Sequence, residues 1–197
     1  MKKILVVTMA AMMLTACGAK PVKLATVPPK DQSIAELNCD KNLATYKLAD
    51  TPVQFCYDKA WGEPVVTQLK AEVGSGKVVT FGTADNAKAP KIWLATKNFK
   101  PTNKADTAAD FTPINGMIAD ANLLKKQVKD AAGYDEKDVV ARKTDVSGVR
   151  SVRADIGGKV KQIIYYVRDA FEGYNMVISG GKDIAEAVDN LTFGMVL

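Results

Sequence analysis

The sequence predicts an α+β fold: an antiparallel sheet of about six to eight strands with helices packed on it, after a signal peptide and a flexible tether. Three observations predict it. From residue 43 onward, short runs of β-branched and aromatic residues are separated by Gly and Asp turns. Two stretches, near 117–132 and 182–191, carry apolar residues at helical spacing instead. The order is strands, helix, strands, helix, which groups strands together rather than alternating them with helices. The 197 residues, 47% hydrophobic and 25% charged, are enough for one sizeable core. None is histidine, which removes Ser-His-Asp and Cys-His devices and most zinc sites.

Residues 1–16 read as a targeting leader. Lys2 and Lys3 form a positive start, and residues 4–14 are apolar except for Thr8. That run is about half of the ~20 residues a helix needs to cross a bilayer. It ends in Leu14-Thr15-Ala16-Cys17, which resembles the lipobox of bacterial lipoproteins. The resemblance implies cleavage before Cys17 and a thioether from that cysteine to diacylglycerol. Two or three acyl chains, at ~0.8 kcal/mol per buried methylene, make a stable anchor. Residue 18 is Gly rather than Asp, so in a cell with two membranes the resemblance implies an outer-membrane protein facing the periplasm. Loss of Lys2 and Lys3 with the leader lowers the formal charge from +5 to +3, too little and too dispersed for a nucleic-acid partner.

Residues 17–30 form the lipidated tether, with three prolines and no apolar periodicity. Fully extended it reaches about 40 Å. Residues 31–197 form a single domain with no internal repeat. Ser33-Ile-Ala-Glu36 has capping-box spacing and predicts a helical turn near 33–38. In 53–58, Val53, Phe55 and Tyr57 share one strand face and Cys56 lies on the other. With Cys17 acylated, Cys39 and Cys56 remain as an even pair, and outside the cytosol a disulfide is the default. The alternative is a two-thiolate metal site, poor in partners without histidine; CxxC chemistry is excluded by the spacing. Strands at 65–73 and 77–82 flank Gly74-Ser75-Gly76 as a hairpin, 91–97 is another strand, and 101–113 is a polar loop.

The first helix has Met117, Ala121, Leu124 and Val128 as its stripe, stops at Gly133 and has Tyr134 over its cap. Strands follow near 138–144, 148–156, 159–168 and 174–179, with Gly157-Gly158 as a two-residue hairpin turn. Residues 163–167 are apolar on both faces, marking a central strand covered twice. A last helix near 182–190 buries Ile184, Val188 and Leu191.

Two stretches carry a second resemblance. Phe55-Cys-Tyr-Asp-Lys-Ala-Trp61-Gly-Glu-Pro64 is an aromatic strand running into a Trp-Gly-x-Pro turn, and the closing helix ends in Leu191-Thr-Phe193. With the mid-chain helix and β-meander between them, the pattern from about 35 to 197 resembles the PsbP-like fold. That fold implies no catalytic residues, and its members include assembly and binding factors.

Gly74-Ser-Gly76-Lys77 fails as a Walker A loop, because Ala71 and Val78 stand where Gly and Ser or Thr are needed. Ser179-Gly-Gly-Lys182 fits S-x-x-K but lacks its companion motifs, and reads as strand-to-helix punctuation. The acidic groups Asp135, Glu136 and Asp138, and Asp106 with Asp110, read as solvated turns rather than calcium loops. Arg142, Arg150, Arg153 and Arg168 are close in sequence. With Ile156 and Lys159 flanking the turn, however, Arg153 faces Gln162, Arg150 faces Tyr165, and the four do not gather.

The expectation is a non-enzymatic, membrane-anchored envelope lipoprotein that binds another envelope protein or a cell-wall component and needs no cofactor or metal. Trp61 and Tyr57 are the candidate partner-binding residues, with Trp93 assigned to the core. A carboxylate-dependent hydrolase of envelope polymers and a small-ligand carrier are the alternatives. The carrier requires an enclosed apolar pocket of several hundred Å3.

Overall fold

A computed structural model describes residue 37 and residues 39–102 and 120–197. The leader, Cys17, the tether, the Ser33-to-Glu36 capping box, most of the 101–113 loop, Asp106, Asp110, Met117 and Ile118 lie outside the described residues. The described ones belong to one unit, Glu36–Leu197.

Among the described residues, eleven strands and two α-helices appear in the order β1 (Leu43–Lys47), β2 (Gln54–Asp58), β3 (Pro64–Leu69), β4 (Ala71–Val73), β5 (Gly76–Phe81), β6 (Lys91–Thr96), β7 (Lys100–Pro101), α1 (Ala121–Ala132), β8 (Val139–Val146), β9 (Val149–Ile156), β10 (Gln162–Phe171), β11 (Tyr174–Gly181) and α2 (Ala185–Phe193). Seven strands form one sheet in the order β3-β5-β6-β11-β10-β9-β8, each antiparallel to its neighbours. The α+β class and the antiparallel sheet are as the sequence predicts.

In β10, Ile163, Tyr165 and Val167 enter one buried cluster, while Ile164 and Tyr166 enter the other. The strand is covered on both faces, as its unbroken apolar run requires. On one face α1 lays Leu124, Val128 and Ala131 against Val152, Ala154 and Ile156. Asp120 caps this helix by accepting from Asn122 N at 2.8 Å, and Gly133 (φ +75°) ends it in the left-handed conformation. The predicted stripe is displaced at its start, for Ala121 is the first helical residue and is exposed. On the other face lie α2 and the β1-β2 hairpin, with Val53, Phe55, Phe81, Val188 and Leu191 in one cluster. A bridge between Gln54 and Val196 ties the C-terminus to this hairpin.

Two turns differ from expectation. β3 and β5 pair with Leu69 opposite Gly76, so the connection is 70–75 rather than Gly-Ser-Gly alone. Within it, Ala71–Val73 leaves the main sheet to pair with Lys100–Pro101. The second difference changes register. Gln162 faces Ile156, so residues 157–161 form a five-residue loop and not a two-residue turn. Gly158 (φ +63°) and Lys161 (φ +48°) are both left-handed, and Gly157 N donates to Asp138 O at 2.7 Å. The loop is held against the short turn at Glu136–Asp138 and delays the strand by three residues.

Candidate functional site

A groove of about 710 Å3 runs between the β1-β2 hairpin and α2. Alternation along β2 builds its first wall. Val53, Phe55 and Tyr57 point into the core, so Cys56 and Asp58 point outward. Asp58 accepts from Ala60 N at 2.8 Å and starts the tight turn Lys59–Trp61. Trp61 is half-buried, edge-on to Phe81 with ring centroids 5.3 Å apart. Its carbonyl and that of Phe81 accept from Asn86 Nδ2 at 2.9 and 3.1 Å. Gly62 (φ +86°) and Gly82 let the two segments touch, since a Cβ on Gly62 would lie 2.8 Å from Gly82 Cα.

The second wall comes from the turn Lys182–Ile184 and from α2, which present Asp183, Glu186 and Asn190 to the groove. Gly180 lets α2 lie close on β11, because a Cβ there would meet Val188 Cγ2 at 2.6 Å. Ser179-Gly-Gly-Lys182 is therefore the strand-to-helix junction that the punctuation reading predicts. Cys39 and Cys56 form a disulfide with Cα atoms 5.7 Å apart, on the lining of the groove. Among the described residues, four carboxylates, Asp40, Asp58, Asp183 and Glu186, line it against the one ammonium of Lys88, on a chain with a formal charge of +5.

Of the two residues singled out in sequence, Trp61 lines this groove. Tyr57 packs its ring on Phe81, with centroids 5.5 Å apart, and donates from its hydroxyl to Glu63 at 3.1 Å. Burial first, and then the Glu63 bond, raise that phenol above its ordinary pKa. Trp93 lies in the α1 face of the core. The acidic turn at 135–138 is local: Asp135 pairs with Lys137 at 3.0 Å, and that contact holds its carboxyl below the usual range.

The arginines need correction. The register places Arg153 opposite both Tyr165 and Arg142, not opposite Gln162. Asp155 takes Arg153 at 3.1 Å and Arg142 at 4.0 Å. Arg153 also reaches Asp189 of α2 at 3.4 Å, and Tyr165 donates to the other oxygen of that carboxylate at 2.6 Å. The guanidinium lies 5.7 Å over the Tyr165 ring. Burial, then the Asp189 bond, raise the Tyr165 phenol. This chain of groups fastens α2 to the sheet. Arg168 instead meets Asp169 at 3.7 Å. Sequence reasoning missed Asp189, whose helical position beside β9 and β10 depends on the register.

Among the described residues, no group of three Cys, Asp or Glu is placed to hold a metal, and no helix is long and apolar enough to cross a membrane. Fold and groove together define an α+β domain with an acidic cleft walled by a disulfide-linked hairpin and a C-terminal helix. No known family profile matches the chain, and no curated protein matches it. Among solved structures it is similar in outline to cyanobacterial PsbP (CyanoP) from Synechocystis sp. PCC 6803, with 13% identity and a TM-score of 0.43 over 81% of this chain and 97% of that one.

Proposed function

We propose that this chain is a lipid-anchored envelope protein whose domain docks a positively charged segment of another envelope protein or cell-wall component in the acidic groove. The observation that carries the docking is Trp61, held half-buried by Asn86 and Phe81 beside four carboxylates. A fixed aromatic is a low-entropy contact surface, and carboxylates around it favour cationic partners and disfavour anionic ones. The anchor rests on Leu14-Thr15-Ala16-Cys17, and the tether supplies the reach. In a cell with two membranes the reading places the domain in the periplasm on the outer membrane.

Mass spectrometry of the native protein tests the anchor: a diacylglyceryl group on Cys17 and no residues 1–16 are expected. An unmodified thiol there, or a retained initiator methionine, overturns it. Crosslinking in intact envelopes tests the docking. Trp61→Ala together with Glu186→Gln should lose the specific adducts of the unsubstituted protein while the domain stays folded. Adducts unchanged by both substitutions reject the groove. Cleavage of cell-wall polymer by the purified protein, lost on Asp58→Asn or Glu186→Gln, would replace docking by hydrolysis.

A further inference from the structure

A second concavity, of about 400 Å3, sits where the central strands β6, β10 and β11 share one end. Lys91 opens β6, Gln162 opens β10 and Ser179 lies near the end of β11, with Lys91 and Ser179 as direct cross-strand partners. Lys161 joins them from the five-residue loop, where its left-handed backbone (φ +48°) turns the chain into the strand. Among the described residues neither Lys91 nor Lys161 is ion-paired, and both line the same hollow. Among the described residues Asp183 is the one carboxylate on the lining, and it lines the acidic groove as well.

The polar floor is directional. Tyr134 donates to Gln162 Oε1, and Gln162 Nε2 donates to Ser179 Oγ at 3.2 Å. Ser179 is 2% exposed, and its oxygen is used as an acceptor. Its own proton has no acceptor among the described residues, although a buried hydroxyl ordinarily donates as well as accepts. Two lysines and one buried hydroxyl thus line the same hollow. Around them, Trp93, Ala89 and the exposed side chain of Val160 give the hollow an apolar side.

We propose that this hollow binds an organic phosphate, with the phosphoryl oxygens on Lys91, Lys161 and Ser179 and the organic body against Trp93 and Val160. Lysine acts on phosphate as a point charge, whereas planar carboxylates are better matched by arginine forks. Two ammonium groups also balance a phosphate monoester, which carries ≈ −1.5 to −2 charges at neutral pH. The site adjoins the acidic groove, with which it shares Asp183, and its two lysines give it the opposite sign.

Titration calorimetry of the full-length chain in detergent tests this with phenyl phosphate, inorganic phosphate and a short-chain phosphatidylglycerol. Saturable binding of phenyl phosphate is expected, tighter than inorganic phosphate by several-fold. Lys91→Gln and Lys161→Gln should each weaken it at least tenfold, and Ser179→Ala by several-fold. Thermal melts establish that each variant is folded; Lys161, exposed on its loop, is the one whose loss leaves the core untouched. Tighter binding of phosphatidylglycerol, lost in the same variants, assigns the same oxyanion site to a lipid headgroup rather than a soluble ester. No saturation by any probe at millimolar concentration, or binding that survives Lys161→Gln unchanged, overturns the proposal.

Discussion

The two faces of the sheet are closed by different means. On one, α1 lays an apolar stripe of Leu124, Val128 and Ala131 on β8, in one buried cluster with residues of β9 and β10. The other is closed in pieces, by the β1-β2 hairpin, by α2 and by the segment carrying Val196, with a disulfide and a charged network among them. A single amphipathic helix covers a sheet through non-directional burial. A cover assembled from separate segments leaves seams, and the acidic groove is the seam between hairpin and helix. The comparison teaches that the disulfide and the Arg153–Asp189 ion pair, which join separate segments, lie on the face that carries the groove, where burial alone does not fix how the pieces meet.

The largest expected effect comes from emptying the assembled face. Phe55 is fully buried, in ring contact with Tyr46 and Phe81 at 5.4 and 6.0 Å between centroids. Phe55→Ala should cost about 3–5 kcal/mol, and Val128→Ala under α1 clearly less, because fewer atoms are removed. Denaturant melts of the two variants check this, and an equal loss would deny the difference in packing. Reducing Cys39–Cys56 comes next, at about 3 kcal/mol from the freed loop in the chain-entropy model. Hydrogen exchange after reduction should rise in β1, β2 and the groove while α1 keeps its protection. Uniform loss across both faces would show that the hairpin closes the whole core.

The α1 face was legible in the sequence because helical periodicity reports which residues point inward without reference to any partner. Leu124, Val128 and the Gly133 stop follow from spacing alone, and so does the two-sided burial of 163–167. The disulfide was legible because the expected lipidation of Cys17 leaves Cys39 and Cys56 as an even pair. The network on the other face was not, because it depends on register. Two left-handed residues, Gly158 and Lys161, lengthen the 157–161 loop and move Arg153 from Gln162 to Tyr165. That register lets Asp189 reach both Arg153 and Tyr165, while the β8-β9 hairpin independently sets Arg142 opposite Arg153. Trp61 could be singled out from its turn, but the carboxylates that make its groove acidic come from segments over a hundred residues apart in the chain.

Within the network, Arg153→Gln should cost about 1–3 kcal/mol, since it leaves two partly buried carboxylates, Asp155 and Asp189, without their shared cation. Tyr165→Phe should cost about 1 kcal/mol near neutrality, the net value of one hydrogen bond. Its second signature is alkaline. The folded state raises the Tyr165 phenol, so the unfolded chain loses that proton first. The associated stability is complete below the unfolded value of about 10 and declines as pH rises above it toward the folded value. Tyr57 is raised in the same direction and contributes to the same limb. Melting curves across this range should therefore fall less steeply for Tyr165→Phe than for the unsubstituted chain, and less steeply still when Tyr57→Phe is added.

The smallest effect isolates burial from charge. Arg142 and Arg153 are cross-strand partners sharing the Asp155 carboxylate, yet the Arg142 side chain is 56% exposed and that of Arg153 13%. At 4.0 Å from Asp155 and open to water, Arg142 resembles a surface ion pair, whose contribution is about 0–1 kcal/mol and screened by salt. Arg142→Gln should then shift stability by no more than a few tenths of a kcal/mol, and raising the salt concentration should erase the shift. Arg153→Gln should keep most of its cost under the same salt, because its carboxylates are shielded by α2 and the sheet. Equal costs for the two substitutions, or equal sensitivity to salt, would mean that proximity to Asp155 rather than burial under α2 sets the energetics of this face.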